Sequence, residues 1–380
     1  MAKEGKYKNF SEIASRDSKG YKIGSVESYS AKNGKKKNWV AKYFYRTLED
    51  EATLDENRKV RERYKNYLFD CVVDAYATRL LHSIDSNSPK GKFVNDLGYV
   101  SRLYAFDGFE VNNNVIKSSN LKEKLNSGGD IKSSNALLKS VVQRIVMDDW
   151  DNKLSNYDGN GYSFDLGYAF TNIAEKKACN KNDDTQCSKK WKDNEILDIV
   201  SGKSKDGQFV SVGNALAETI ADFGERTNEF YYNWYKENNP AGYEKNCNLK
   251  RNVGAHFNEQ LQYLVDNYVG VSSKSEALLA VFSDVIDEFK ANKGRAYGKV
   301  KVNIDDAMGN RKLKHTCSNF LDECDSHFSE RLRYFRGVVD TIQYNNKNEP
   351  DDRGGSAVQS RYADMVMRQR DGSLSSHSVF

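Results

Sequence analysis

The chain has 380 residues, with 58 basic and 54 acidic side chains and a formal charge of +4. That near balance excludes bulk electrostatic attraction to nucleic acid as its organising function. No run of about 18 apolar residues is present and the opening segment Met1 to Gly20 lacks the apolar core of a secretory signal, so no transmembrane segment is expected. Six cysteines scattered through so long a chain predict reduced thiols and a cytoplasmic working compartment.

Residues 1–20 read as an N-terminal extension. From Tyr21 to Arg46, aromatic and β-branched residues flank AKNGKKKN, whose Asn33-Gly34 is a turn signal, so the segment predicts a β-hairpin. The stretch from Asp55 to Ile84 contains no Gly or Pro. Its Tyr67, Leu68, Cys71, Val72, Ala75, Leu80 and Leu81 recur near helical spacing and predict a first long helix. Leu97 to Phe106 then reads as one or two strands.

NALLKSVVQRIVM places Leu137, Leu138, Val141, Val142, Ile145 and Val146 on one broad apolar face, which predicts a helix feeding into Met147 to Phe170. Further helices are expected over NALAETIADFGERTNEFYYNWYKEN, HFNEQLQYLVDNYV, KSEALLAVFSDVIDEFKAN and SNFLDECDSHFSERLRYFRGVVDTIQY. Strands come first and helices second. The order predicts an α+β chain with a small β-rich lobe over residues 21–108, a larger helical lobe over 109–348 and a mobile tail over 349–380.

The run MDDWDNKLSNYDGNGYSFDLGYAF is the most informative chemically. Phosphoryl transfer needs a base beside the acceptor hydroxyl, groups that hold a divalent cation on the phosphates, and a lysine on the phosphate oxygens. Asp151 and Asn156, five residues apart on a loop leaving a helix, can fold so that the first faces the acceptor and the second reaches a metal. Asp165, before Leu166-Gly167, suits a second metal ligand. The turn Asp158-Gly159-Asn160-Gly161 would bring it back beside Asn156.

These residues resemble the protein-kinase-like superfamily, whose catalytic loop reads H-R-D-x-K-x-x-N and whose metal motif reads D-F-G. The matching stretches here are Trp150-Asp151-Asn152-Lys153-Leu154-Ser155-Asn156 and Asp165-Leu166-Gly167. The resemblance is nearest to atypical bacterial members, effector and phosphoinositide-kinase-like, and covers roughly residues 21 to 170. It implies a bilobal kinase-like fold in which Asp151 is the catalytic base, Lys153 steadies the transferring phosphate, and Asn156 and Asp165 hold Mg2+ or Mn2+. Val40-Ala41-Lys42 resembles the V-A-x-K strand, which puts Lys42 on the phosphates of ATP. DAYATRLL resembles the E-x-x-A-x-x-L helix, which puts Asp74 opposite that lysine, with Glu62 and Asp70 as substitutes on the same helix. Gly24 and Ser25 stand where the phosphate-covering loop belongs.

The resemblance implies a protein or phosphoinositide acceptor, an activating partner protein as one option, no nucleic acid, and at most peripheral contact with a membrane. It also leaves two alternatives open: a pseudokinase that serves as an adaptor, and a nucleotidyl transferase. A low-proline, Asn- and Lys-rich composition suits an effector secreted into a host cytosol.

Three further signals are read more plainly. Asp222-Phe223-Gly224 spells the metal motif but is expected inside a helix. His315, Cys317, Cys324 and His327 lack tight metal-ligand spacing and are expected to pack or lie at the surface. The lysines from Lys176 to Lys192 are read as a solvated loop, with an anionic acceptor as the alternative. Cys179 and Cys187 within it are read as free thiols.

Overall fold

The computed structural model describes residues 7–14, 21–29, 36–44, 54–94, 101–105, 120–131, 136–149, 151–170, 195–203, 208–220, 229–308 and 310–348. Most of these are helical. Five strands, β1 (Tyr7–Ala14), β2 (Tyr21–Tyr29), β3 (Lys36–Phe44), β4 (Lys90–Val94) and β5 (Ser101–Ala105), pair antiparallel in the order β1-β2-β3-β5-β4. The helices are α1 (Leu54–Ile84), α2 (Leu121–Asn126), α3 (Ala136–Val146), α4 (Glu195–Val200), α5 (Val212–Glu218), α6 (Glu229–Asn238), α7 (Pro240–Asn267), α8 (Lys274–Ala307) and α9 (Arg311–Asn348).

The expected bilobal kinase-like fold, with a small β-rich N-lobe set apart from a helical C-lobe, is overturned. Helix α1, assigned by chain order to the small lobe, lies inside the helical body and packs on α8 and α9. Its apolar residues between Tyr67 and Leu81 belong to the same continuous cluster as Phe282, Phe289, Phe320 and Phe328 of those two helices. The cause is legible in its side chains: Leu68, Cys71, Val72, Val73, Tyr76, Ala77, Leu80 and Leu81 are all buried, and they surround the helix instead of forming one stripe. A helix whose buried positions run round its circumference must be enclosed, not laid on one face of a sheet.

Strand β4 joins the same body. Phe93 is buried in the common core, and β4 lies so close to α1 that a Cβ on Gly91 would stand 2.6 Å from the Cβ of Thr78. Only glycine permits that approach.

The helix boundaries follow local chemistry. Pro240 occupies the first turn of α7, where its missing N–H costs nothing, and the Asn239 side chain accepts from Gly242 N at 3.1 Å. Ser273 caps α8 by accepting from Glu276 N at 3.2 Å, while Glu276 reaches back to Ser272 N at 2.7 Å. The single helix expected from Asn214 to Asn238 is instead two: α5 ends at Glu218 and α6 begins at Glu229. Residues 221–228 between them, including the Asp222-Phe223-Gly224 motif, lie outside the described residues, as do the loop from Lys176 to Lys192 with Cys179 and Cys187, and the tail 349–380. No described helix is long and apolar enough to cross a membrane.

Candidate active site

The segment from Met147 to Phe170 leaves α3, makes an excursion and returns to its own start: Phe170 N donates to Met147 O at 2.8 Å. Aromatic packing fixes that closure. The Phe170 ring stands 5.0 Å from Phe328 of α9 and 5.5 Å from Tyr76 of α1, and Phe328 in turn meets Phe289 of α8 at 5.3 Å. At the other end, Arg331 of α9 donates to the last carbonyls of α3, Val146 O at 2.9 Å and Ile145 O at 2.8 Å, and lies 3.4 Å from Asp148 Oδ1. The excursion is therefore held by three long helices.

Within it, Asp151, Lys153 and Asn156 meet. Asn156 Nδ2 donates to Asp151 O at 2.9 Å and to Asp151 Oδ2 at 3.0 Å, and Lys153 Nζ lies 3.0 Å from Asp151 Oδ1. A short 3-10 turn at Leu154–Asn156 brings the amide back over the carboxylate. Both N–H bonds of the Asn156 amide go to Asp151, which leaves its Oδ1 as the atom for a cation. Trp150, which precedes Asp151 in the motif, lies outside the described residues.

The return strand brings Asp165 alongside. Tyr157 bridges Ser163, Asp158 N donates to Tyr162 O at 2.9 Å, and Phe164 N donates to Asn156 O at 3.0 Å. The turn between them needs Gly161: its φ is +89°, and a Cβ there would stand 2.9 Å from both N and Cβ of Leu137. Asp165 itself adopts φ +53°, a conformation uncommon outside glycine and found where surrounding contacts over-determine it. Asp74 supplies one such contact. It is 1% exposed, and its Oδ1 accepts from Leu166 N at 3.0 Å and from Thr78 Oγ1 at 3.2 Å.

Two residues that the sequence reading passed over organise this site. Arg144, fully buried on α3, donates through Nε to Ser163 Oγ at 3.2 Å, through Nη1 to Asp149 and to Asp151 O at 3.2 Å, and through Nη2 to Asn156 O at 2.9 Å and to Phe164 O. One guanidinium thus ties the backbone at Asp151, Asn156 and Phe164 together. Its partner Asp149, also fully buried, accepts from Asp151 N at 3.1 Å. Burial pushes the Asp149 carboxyl up, to about 7, against the pull of Arg144 and with Asp151 and Asp165 pushing the same way. Burial works against the Arg144 charge, but Asp149, Tyr157, Asp151 and Asp165 hold its pKa above the ordinary value. The available signal was a charged residue, Arg144, inside the apolar run VVQRIV.

The remaining sequence candidates fall differently. Gly24 and Ser25 lie within strand β2, in register with Ala41 and Val40, and Lys42 of β3 pairs with Ile23 and Arg102. The segment expected to cover phosphates as a loop is thus a strand. The side chains of Lys42, Ser25 and Glu62 lie outside the described residues. Cys317 and Cys324 are buried in the core, His315 Nε2 is 3.3 Å from Asn319 Nδ2, and His327 Nε2 is 3.9 Å from Asp148 Oδ2.

The donor set fits a divalent cation. Asp149 feels the charges of Asp151 and Asp165, and one side of the Asn156 amide remains to ligate. Among the described residues no group of three or more His, Cys, Asp or Glu could hold a metal by itself. No protein-family model and no curated protein matches the sequence.

Proposed function

We propose that the chain is an ATP-dependent phosphotransferase that moves the γ-phosphate to a hydroxyl of a protein or a phosphoinositide. The observation that carries the reading is the joint geometry of Asp151, Lys153 and Asn156, with Asp165 delivered beside them by a return strand pinned to Asp74. A magnesium ion bound at Asn156 Oδ1 and the Asp165 carboxylate would neutralise phosphate charge during transfer.

The chain's own groups take the other roles. Asp151 orients the acceptor hydroxyl and receives its proton. Its carboxylate has lone pairs beyond the two engaged by Asn156 and Lys153. Lys153, whose side chain is 37% exposed, has the reach to leave Asp151 and follow the charge that develops on the transferred group. Arg144 and Asp74 hold the backbone on either side of Asp165, so that its carboxylate needs no rearrangement during the reaction. Lys42 is proposed to steady the remaining phosphates.

The test is incubation with ATP labelled at the γ or at the α position, with magnesium, a lipid panel and whole-cell lysate, comparing wild type with Asp165→Ala and Asp151→Asn. The expected result is γ-label in one acceptor class, lost in both variants. Incorporation of α-label would replace the reading with nucleotidyl transfer. Absence of a thermal shift with ATP and magnesium would replace it with an adaptor role.

A further inference from the structure

Apart from the phosphotransfer residues, α3, α7 and α8 leave a cleft between them with a cavity volume of about 150 Å³. Helical spacing builds its walls. Val281 and Val285 of α8 stand one turn apart, as do Asp284 and Glu288, while Gln260, Tyr263 and Leu264 share one face of α7. Helix α3 contributes Leu138 and Lys139. The buried Leu138 and Val285 and the half-buried Leu264 and Val281 give the cleft an aliphatic floor under a polar rim. A void of this size accommodates a group of about benzene's volume.

The charges on the rim do not balance. Lys139 Nζ stands 2.7 Å from Glu288 Oε1, so that pair is neutral. Asp284, exposed on the same side of α8, has no such cation. Among the described residues none forms a hydrogen bond or ion pair with its carboxylate, with the Gln260 amide or with the Tyr263 hydroxyl. Glu288 Oε2, closed to solvent, also accepts no hydrogen bond, although the side chain as a whole is 35% exposed. The cleft thus carries a net negative charge and open hydrogen-bonding groups beside an apolar void.

Apolar clefts with a few converging polar groups are where small molecules bind. An anion would meet the repulsion of Asp284 and Glu288, with only the engaged Lys139 to attract it. A neutral apolar ligand would fill the floor but strip water from Asp284 without replacing it, which is unfavourable. A primary ammonium brings one positive charge and three N–H donors, which suit the Asp284 carboxylate, the Gln260 amide oxygen and the Tyr263 oxygen. We infer that this cleft binds a small primary amine whose apolar body, about one ring in size, lies on the aliphatic floor while its ammonium meets Asp284. The site is independent of the phosphotransfer reading, because none of its residues takes part in that chemistry.

The test is a ligand-observed NMR titration of the full chain at neutral pH with phenethylamine and two compounds of the same phenethyl body, neutral 2-phenylethanol and anionic 3-phenylpropionate. Wild type binds the amine with a dissociation constant of about 1 mM or tighter. The alcohol binds about tenfold or more weakly, and the carboxylate more weakly still. Asp284→Asn, a change at an exposed position, loses about tenfold toward the amine and leaves the alcohol unchanged. Val281→Phe fills the void and abolishes binding of both. Absence of amine binding, equal affinity for amine and alcohol, or tighter binding of the carboxylate would overturn the site. Full amine affinity in Asp284→Asn or in Val281→Phe overturns it as well. If Val281→Phe does not fold, the comparison of Asp284→Asn with wild type decides alone.

Discussion

Replacing Arg144 with methionine removes the one guanidinium that serves Asp149, Ser163 and the carbonyls of Asp151, Asn156 and Phe164. Methionine keeps the volume and leaves Asp149 buried without its counter-charge. Breaking one side of a buried ion pair costs about 3–5 kcal/mol. The three carbonyls and the hydroxyl would add about 1–3 kcal/mol each if none found water, so the sum is an upper bound.

The loss depends on pH, and its sign is fixed by Asp149. In wild type the folded-state pKa lies above the unfolded value, so the folded state holds the extra proton between about 4 and about 7. Stability from this group is full below that window and declines as pH rises through it. Removing Arg144 removes the interaction that lowers the pKa and extends the decline above 7. The variant's deficit is therefore larger at pH 8.5 than at pH 6, while Arg144→Met/Asp149→Leu, which buries no charge there, recovers part of the loss with little pH dependence. Urea unfolding followed by tryptophan fluorescence at both pH values measures all three chains. A single variant within about 1 kcal/mol of wild type at pH 8.5, where at least 3 is expected, would refute the reasoning.

Other consequences follow from the same geometry. Asp74→Ala strands Leu166 N and costs about 1–3 kcal/mol in chemical denaturation. It also lowers the transfer rate more than Asp74→Asn, whose oxygen can still accept that bond; equal loss in the two variants would count against a positioning role. Gly161→Ala forces a Cβ against Leu137 at φ +89°, with a cost of about 1–3 kcal/mol read as a lower urea midpoint. Phe328→Ala empties a fully buried position between Phe170 and Phe289. It costs about 3–5 kcal/mol and speeds amide exchange at Phe170, whose N–H depends on that closure.

Sequence alone was sufficient where the relevant contacts are local. A Gly- and Pro-free run with periodic apolar residues specified α1, and the apolar faces of α3, α8 and α9 did the same for them, because helix hydrogen bonds and side-chain faces recur within a few residues. The bond from Asn156 to Asp151 spans only five residues, yet the spacing suggested an acceptor for Asp151 and a metal for Asn156, not a bond between them. Tertiary structure decided the rest. Asp74 finds Leu166 across 92 positions and Arg331 reaches Val146 across 185, distances over which no spacing in the chain gives a signal. The order of strands before helices suggested separate lobes, yet α1 is enclosed by α8 and α9, which follow it by some two hundred residues. Periodicity tells a helix which side to bury, and only the assembled core determines which partner covers it.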